Sequence, residues 1–400
     1  MYIKNIQLRN FRNYESAYIE FNPSINLITG ANAQGKTNLL ESLVYLSLTR
    51  SHRIVDDKKL IRNDEMFAGI DCKFVDTDEK NIEVIIHPNG KTLMIHKRPL
   101  KKSSEFIGLL NVVLFSPDDL RIFSDQPKER RRVMNQEITK VSTKYLLSLN
   151  QFQMYLKDRN ALLKSDKIDL NYLDILDEQM SKVEAHIIRE RRKFIEVIQS
   201  VISKIYQELS GSQIKLEIAY KTFVEDTEEL EEKILEIHRE SRQKDMEYHI
   251  TKVGIHLDDL IFKMDDQNLI YFASQGQKRM VMLSFKLALL NYIKLMTKKQ
   301  PILLLDDVLS ELDYSRQKKL LQMVQRDFQC IITTTEIPDF LKNYMTYIQN
   351  EIYEQPIRIP ENKKTEYLEY NNINHVLSIP ESSILGFYID NWGLKTVNLY

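Results

Sequence analysis

Gly30-Ala31-Asn32-Ala33-Gln34-Gly35-Lys36-Thr37 is the stretch on which the reading of this chain turns. It matches G-x-x-x-x-G-K-[ST] in full, the loop whose backbone N–H groups cradle phosphate oxygens. The flanks have the right character. Ile25-Asn26-Leu27-Ile28 reads as a short strand entering the loop, and Leu39, Leu40, Leu43, Val44 and Leu46 recur at helical spacing beyond it. Gly30 and Gly35 let N–H groups point inward and approach phosphate with no Cβ in the way. A helix starting near Lys36 adds the positive end of its dipole. Lys36 is therefore expected to pair with the β and γ phosphates, and the Thr37 hydroxyl to ligate magnesium. A chance match in an ordinary glycine turn is the bland alternative, and the placed strand and helix argue against it.

A partner for this loop lies far along the chain. Ile302-Leu303-Leu304-Leu305-Asp306-Asp307 reads as a buried strand ending in two carboxylates. Asp306 is expected to hold magnesium, directly or through water, and Asp307 to orient or deprotonate an attacking water. An isolated strand ending in Asp is usually just solvated. The pairing with a phosphate loop changes that weighting, because a nucleotide head built from two halves needs this separation. Between them, Ser274-Gln275-Gly276-Gln277 opens a helix expected from about Gln277 to Met296. Ser274 suits a plain helix N-cap, and a capping turn with free N–H groups is also what binds phosphate. A second buried strand is expected at Cys330–Thr333, with Thr333-Thr334-Thr335-Glu336 at its end.

The 400 residues are 43% hydrophobic, enough for two or three domains with a sizeable core. Lys+Arg is 56 against Asp+Glu 57, a net charge of −1, which excludes a wholly basic nucleic-acid coat but leaves room for a local basic patch. Lys128, Arg130, Arg131 and Arg132 form one candidate DNA-binding cluster, and Arg189, Arg191, Arg192 and Lys193 a second; a solvated helix face is the commoner meaning of such runs. Cys72 and Cys330 have no paired spacing and read as core residues, not as a disulfide or a zinc site. His256, beside a carboxylate pair, reads as structural. The opening Met1-Tyr2-Ile3-Lys4-Asn5 has strand character, not that of a signal peptide, and no apolar run approaches the roughly 20 residues of a membrane span. A cytoplasmic protein is expected, with no membrane partner.

Four segments are expected: residues 1–124 of mixed strand and helix, residues 125–250 mostly helical, residues 251–359 returning to α/β, and a tail at 360–400 with no assignable role. His87-Pro88-Asn89-Gly90 between Ile82–Ile86 and Thr92–Ile95 signals a hairpin. The apolar stripe Met180, Val183, Ile187, Phe194, Ile198, Val201, Ile205, Leu209, stopped by Gly211, signals one long helix.

In this order the motifs resemble the head of ABC-type ATPases, in which Ser274-Gln275-Gly276-Gln277 is similar to the signature loop and Ser310-Glu311-Leu312-Asp313 to the D-loop; Thr335 or Glu336 stands where a switch residue would sense the γ-phosphate. Further stretches resemble the RecF family in particular: Ile6–Tyr14, Thr49–Arg53, Val112–Leu120, Arg130-Arg131-Arg132, Arg159–Lys164 and Gln207–Gly211. The resemblance spans about residues 1–355. It departs from the family pattern at Ile255 and Leu257 within Gly254–Leu260, at Asp125 and at Asn135.

The resemblance implies an α/β fold, an ABC-type P-loop ATPase head with a mixed sheet plus an inserted, mainly helical lobe. It implies ATP and Mg2+ as cofactors, Arg12 and Asn13 near the nucleotide, and the Ser274 turn gripping ATP held by a second copy, hence a homodimer in ATP. It further implies slow, DNA-stimulated hydrolysis, binding to single-stranded and duplex DNA at gaps and junctions, and RecO and RecR as partners in loading RecA. A transporter subunit is a rival reading, opposed by the about 240 residues between Lys36 and Gly276. A RecF-like ATPase turned to defence against foreign DNA is another. An SMC-like organiser would need a long heptad arm, which is absent.

Overall fold

The computed structural model describes residues 1–123, 126–325, 328–336, 375–379 and 395–396. Asp125 and most of the 360–400 tail lie outside them. The chain opens with β1 (Tyr2–Phe11), β2 (Tyr14–Glu20), β3 (Ile25–Thr29), α1 (Lys36–Leu48) and β4 (Ala68–Val75). It continues through β5 (Glu79–His87), β6 (Gly90–Ile95), β7 (Arg98–Pro99) and β8 (Val112–Phe115). Then come α2 (Pro127–Val141), α3 (Thr143–Leu163), α4 (Leu170–Ser210), β9 (Leu216–Lys221) and α5 (Leu230–Tyr248). Next are β10 (Asp259–Met264), β11 (Gln267–Asn268), α6 (Leu269–Phe272) and α7 (Gln275–Thr297). The last elements are β12 (Ile302–Asp306), α8 (Tyr314–Gln325), β13 (Cys330–Thr334), β14 (His375–Ile379) and β15 (Lys395–Thr396).

Two compact units result: residues 1–119, 208–211 and 289–400 in one, residues 120–207 and 212–288 in the other. In the first, an antiparallel sheet of order β2-β1-β4-β5-β6-β7 and a mixed sheet of order β15-β14-β3-β13-β12-β8 share one core with α1. The antiparallel strands alternate, as a sheet wet on one face should: Ile82, Val84 and Ile86 go inward while Asn81, Glu83 and Ile85 stay partly exposed. The parallel strands β3, β12 and β13 are buried at every position, as their near-continuous apolar runs require. Helix α1 is buried almost all round, which is why its sequence carries so little polar face. Cys72 and Cys330 are free and buried in β4 and β13, core residues as expected.

Most of the 41-residue α4 belongs to the second unit; the helix ends at Ser210, just before Gly211 in the left-handed region. The unit runs on to Ala288, past the 250/251 boundary expected from sequence, because β10 pairs with β9 along its whole length and α2 packs on β10. Helix α7 is long and apolar enough to cross a membrane by length and composition, but 72% of that stretch is buried inside the protein, the pattern of a core helix.

Candidate functional site

In the first unit, β3 delivers the chain into residues 30–35 and α1 takes it away at Lys36. The loop needs two left-handed residues, Ala33 at φ 66° and Gly35 at φ 102°. A Cβ on Gly35 would lie 2.6 Å from Asn13 Nδ2, so glycine is required there both by conformation and by space. Tyr14 Oη donates to Gly35 O at 3.0 Å, and Asn38 Nδ2 donates to Asn13 Oδ1 at 2.7 Å, which fixes the loop from the β1–β2 turn. Among the described residues no side chain caps the start of α1, which leaves its first N–H groups for an anion. Lys36 Nζ donates to Gly30 O (2.5 Å) and Ala31 O (2.8 Å), curled over its own loop. Burial draws the Lys36 ammonium below its ordinary value, and the carboxylates of Asp307 and Asp306 act against that.

The strand order carries the carboxylates to this loop. β13 lies between β3 and β12, so the ends of β3 and β12 are two strands apart in one parallel sheet. Thr37 Oγ1 donates to Asp306 Oδ1 at 3.1 Å, joining residues 269 positions apart. Thr333 Oγ1 donates to the same Oδ1 at 2.7 Å. Burial pushes the Asp306 carboxyl up, the two hydroxyls oppose it, and the Asp307 charge adds to it. Asp307 stands at φ 54°, and its Oδ1 is buried with no hydrogen-bond partner among the described residues.

These features fit the nucleotide and metal expected from sequence. An uncapped helix start and a glycine-shaped loop suit phosphate, and a hydroxyl with a carboxylate suits Mg2+, which takes few protein ligands and completes its shell with phosphate and water. Among the described residues no group of three or more His, Cys, Asp or Glu side chains is set to hold a metal by itself.

Other expected residues fall differently. Asn13 reaches the loop, while Arg12 Nε and Nη2 bind Glu41 of α1, both at 2.9 Å, and its Nη1 reaches Lys59 O. Ser274 and Gln277 belong to the second unit and make a reciprocal cap. Ser274 Oγ accepts from Gln277 N–H at 3.2 Å, and Gln277 Oε1 accepts from Ser274 N–H at 2.8 Å. Gln275 and Gly276 are exposed between them. Ser310 Oγ donates to Asp307 O at 2.7 Å, and Thr334 Oγ1 to Glu336 O at 2.8 Å.

The residues of the expected DNA-binding cluster divide between buried and exposed positions. Arg130 is buried, with Nε and Nη2 on Asp259 at 2.6 and 3.0 Å, and Arg131 donates to Asp258 O. Lys128 and Arg132 are exposed, Arg132 pairing with Glu129. In the second run Arg191 is likewise buried on Asp258 and Arg192 pairs with Asp226, leaving Arg189 and Lys193 exposed. Successive helix residues point about 100° apart, so a run of basic residues cannot face one way. His256 Nε2 meets Thr251 O and its ring packs on Phe152. Sequence reasoning missed Thr333, for which no motif exists, and the Ser274–Gln277 reciprocal cap, for which S-x-x-Q was the available signal.

The family described as RecF/RecN/SMC N terminal domain matches residues 2–350. A Lactobacillus johnsonii protein named DNA replication and repair protein RecF is 40% identical over 348 residues, 84% of this chain and 93% of the relative. A solved structure, "Structure of the recombination mediator protein RecF-ATP in RecFOR pathway", superposes with TM-score 0.78 at 34% identity, covering 84% of this chain and 93% of that one. A Pyrococcus furiosus Smc head with a ScpA domain, at 19% identity and TM-score 0.50, shares the fold alone.

Proposed function

The chain belongs to the RecF family, and on that premise we propose that it is an ATP-dependent DNA-binding protein of recombinational repair. The observation that carries the reading is the 3.1 Å contact of Thr37 Oγ1 with Asp306 Oδ1, which unites phosphate loop and strand-end carboxylate in one place.

Lys36 and the first-turn N–H groups of α1 hold the β and γ phosphates of ATP. Thr37 and Asp306 hold Mg2+, which supplies neutralisation of phosphate charge. Asp307 orients or deprotonates the attacking water. The Ser274 turn takes the γ-phosphate of an ATP seated on a second copy of the chain, so that ATP joins two copies about a two-fold axis. Hydrolysis removes that contact and lets the copies part. Turnover is slow and DNA-stimulated, since it times a clamp. The clamp closes on DNA at single-strand gaps and junctions in the cytoplasm, and with RecO- and RecR-like mediators it assists RecA loading, replication restart and the SOS response.

Sizing the protein with ATP and with ADP, for the native chain and for Lys36→Ala, tests this. An ATP-dependent dimer that the substitution abolishes is expected. Equal mass in all four conditions would remove the clamp and leave a nucleotide-binding fold.

A further inference from the structure

We propose that Thr333 is a positioning residue for ATP hydrolysis, its single hydroxyl fixing the side chain of Asp306 and the backbone of Asp307 at once. The inference rests on the ATPase reading above and adds a residue to it.

Thr333 is fully buried near the end of β13, directly across from Asp306 of β12. A threonine hydroxyl has one proton and two lone pairs. The proton has two acceptors in range, Asp306 Oδ1 at 2.7 Å and Leu305 O at 3.4 Å, and the shorter contact to a carboxylate is much the stronger. A lone pair accepts the Asp307 N–H at 3.1 Å, which also reaches Thr333 O at 3.1 Å. One side chain therefore ties down two consecutive residues of the neighbouring strand.

Those two residues need tying. In a regular strand, successive side chains point to opposite faces. Asp306 is the last residue of β12, and Asp307 follows it directly. The alternation is broken at Asp307, which leaves the strand with φ at 54°, a conformation that aspartate tolerates but does not favour. The two bonds from its N–H to Thr333 hold it there. The remaining bond keeps Asp306 Oδ1 turned toward Thr37. Without the hydroxyl, β13 would still pair with β12 through its backbone, because Asp307 N–H keeps Thr333 O. The fold should survive and the geometry of the carboxylates should not.

The test compares Thr333→Val, which keeps the shape and loses the hydroxyl, with Thr333→Ser, which keeps the hydroxyl and loses the methyl; thermal melting checks folding, and Thr333→Cys replaces the valine variant if that one cannot be folded. Two quantities are read: ATP turnover, and the Mg2+ concentration needed for half-maximal binding of a fluorescent ATP analogue. Removing a group that orients a metal ligand typically costs about 10- to 100-fold in metal affinity or activity. Thr333→Val is expected to raise the Mg2+ requirement and to lower kcat, each by about tenfold or more, while KM for ATP at saturating Mg2+ stays within about twofold. Thr333→Ser should restore both. A folded valine variant equal to the native protein overturns the proposal. So does a serine variant that loses as much as valine, since the methyl would then be the part that matters. Should Lys36→Ala turn over ATP like the native protein, the ATPase reading itself fails, and that result is separate from either.

Discussion

Glu41 shows how much of the site is held from behind. It is fully buried on α1, takes both Arg12 contacts at 2.9 Å, accepts from the Ser51 hydroxyl, and has Arg53 at 3.7 Å. Burial alone would push its carboxyl up, but the Arg12 and Ser51 hydrogen bonds and the charges of Arg12 and Arg53 together bring it below its ordinary 4.5. A carboxyl lowered on folding adds stability above its unfolded value, and that stability is lost as pH falls through the folded value. Glu41→Gln is therefore expected to cost about 3 kcal/mol at neutral pH, because a buried charge loses its partner. Urea unfolding should show the gap to the native protein closing as pH drops below the ordinary carboxylate range. A pH-independent gap would mean that packing and not charge is at stake. The sequence marked Arg12 as a residue of interest but offered no sign of Glu41. A bidentate pair 29 positions apart leaves no local pattern, whereas Gly35, Lys36 and Thr37 are legible because contiguous backbone does their work.

At the scale of elements, α7 begins with a cap that serves folding and an exposed glycine that does not. Gly276 has an ordinary backbone and, among the described residues, nothing within 4 Å of where a Cβ would stand, so the described fold has no need of glycine there. In a helix's first turn alanine is the better former, by up to about 1 kcal/mol. Gly276→Ala should then melt at or slightly above the native temperature. If the turn approaches phosphate on a second copy, the same methyl intrudes, and ATP-dependent dimerisation by sizing should weaken about tenfold or more, the factor for each 1.4 kcal/mol lost. Ser274→Ala behaves oppositely in stability, losing about 1 kcal/mol of cap. Normal dimerisation of Gly276→Ala would remove the turn from the interface. Elements of this kind were largely legible: β3, β12, β13, α1, α4 and α7 follow from continuous apolar runs or helical periodicity. The pairing of β9 with β10 was not, because Leu216–Lys221 and Asp259–Met264 meet across α5 and neither carries a turn signal linking them.

For the molecule as a whole, a net charge of −1 means that DNA must be met by local cations, and the fold has spent half of the obvious ones. Arg130 and Arg191 lie buried against Asp259 and Asp258 at the start of β10, where loss of either arginine would strand a carboxylate and cost about 3–5 kcal/mol. Arg131 and Arg192 are partly drawn in as well. What remains in water from the two runs is Lys128, Arg132, Arg189 and Lys193. Each phosphate contact contributes about 0.9 to the slope of log K against log salt on duplex DNA. Replacing Lys128 and Arg132 together by alanine should therefore flatten that slope by at most about 1.8 and leave thermal stability nearly unchanged, since exposed substitutions seldom move it by more than about 0.5 kcal/mol. Arg130→Ala should do the reverse, lowering the melting temperature and affecting DNA only through the loss of folded protein. Binding titrations at several salt concentrations, run beside melting curves, separate the two. A double variant whose slope matches the native protein would move the DNA-facing surface away from α2, and the exposed pair Arg189 and Lys193 on α4 would be the next to substitute.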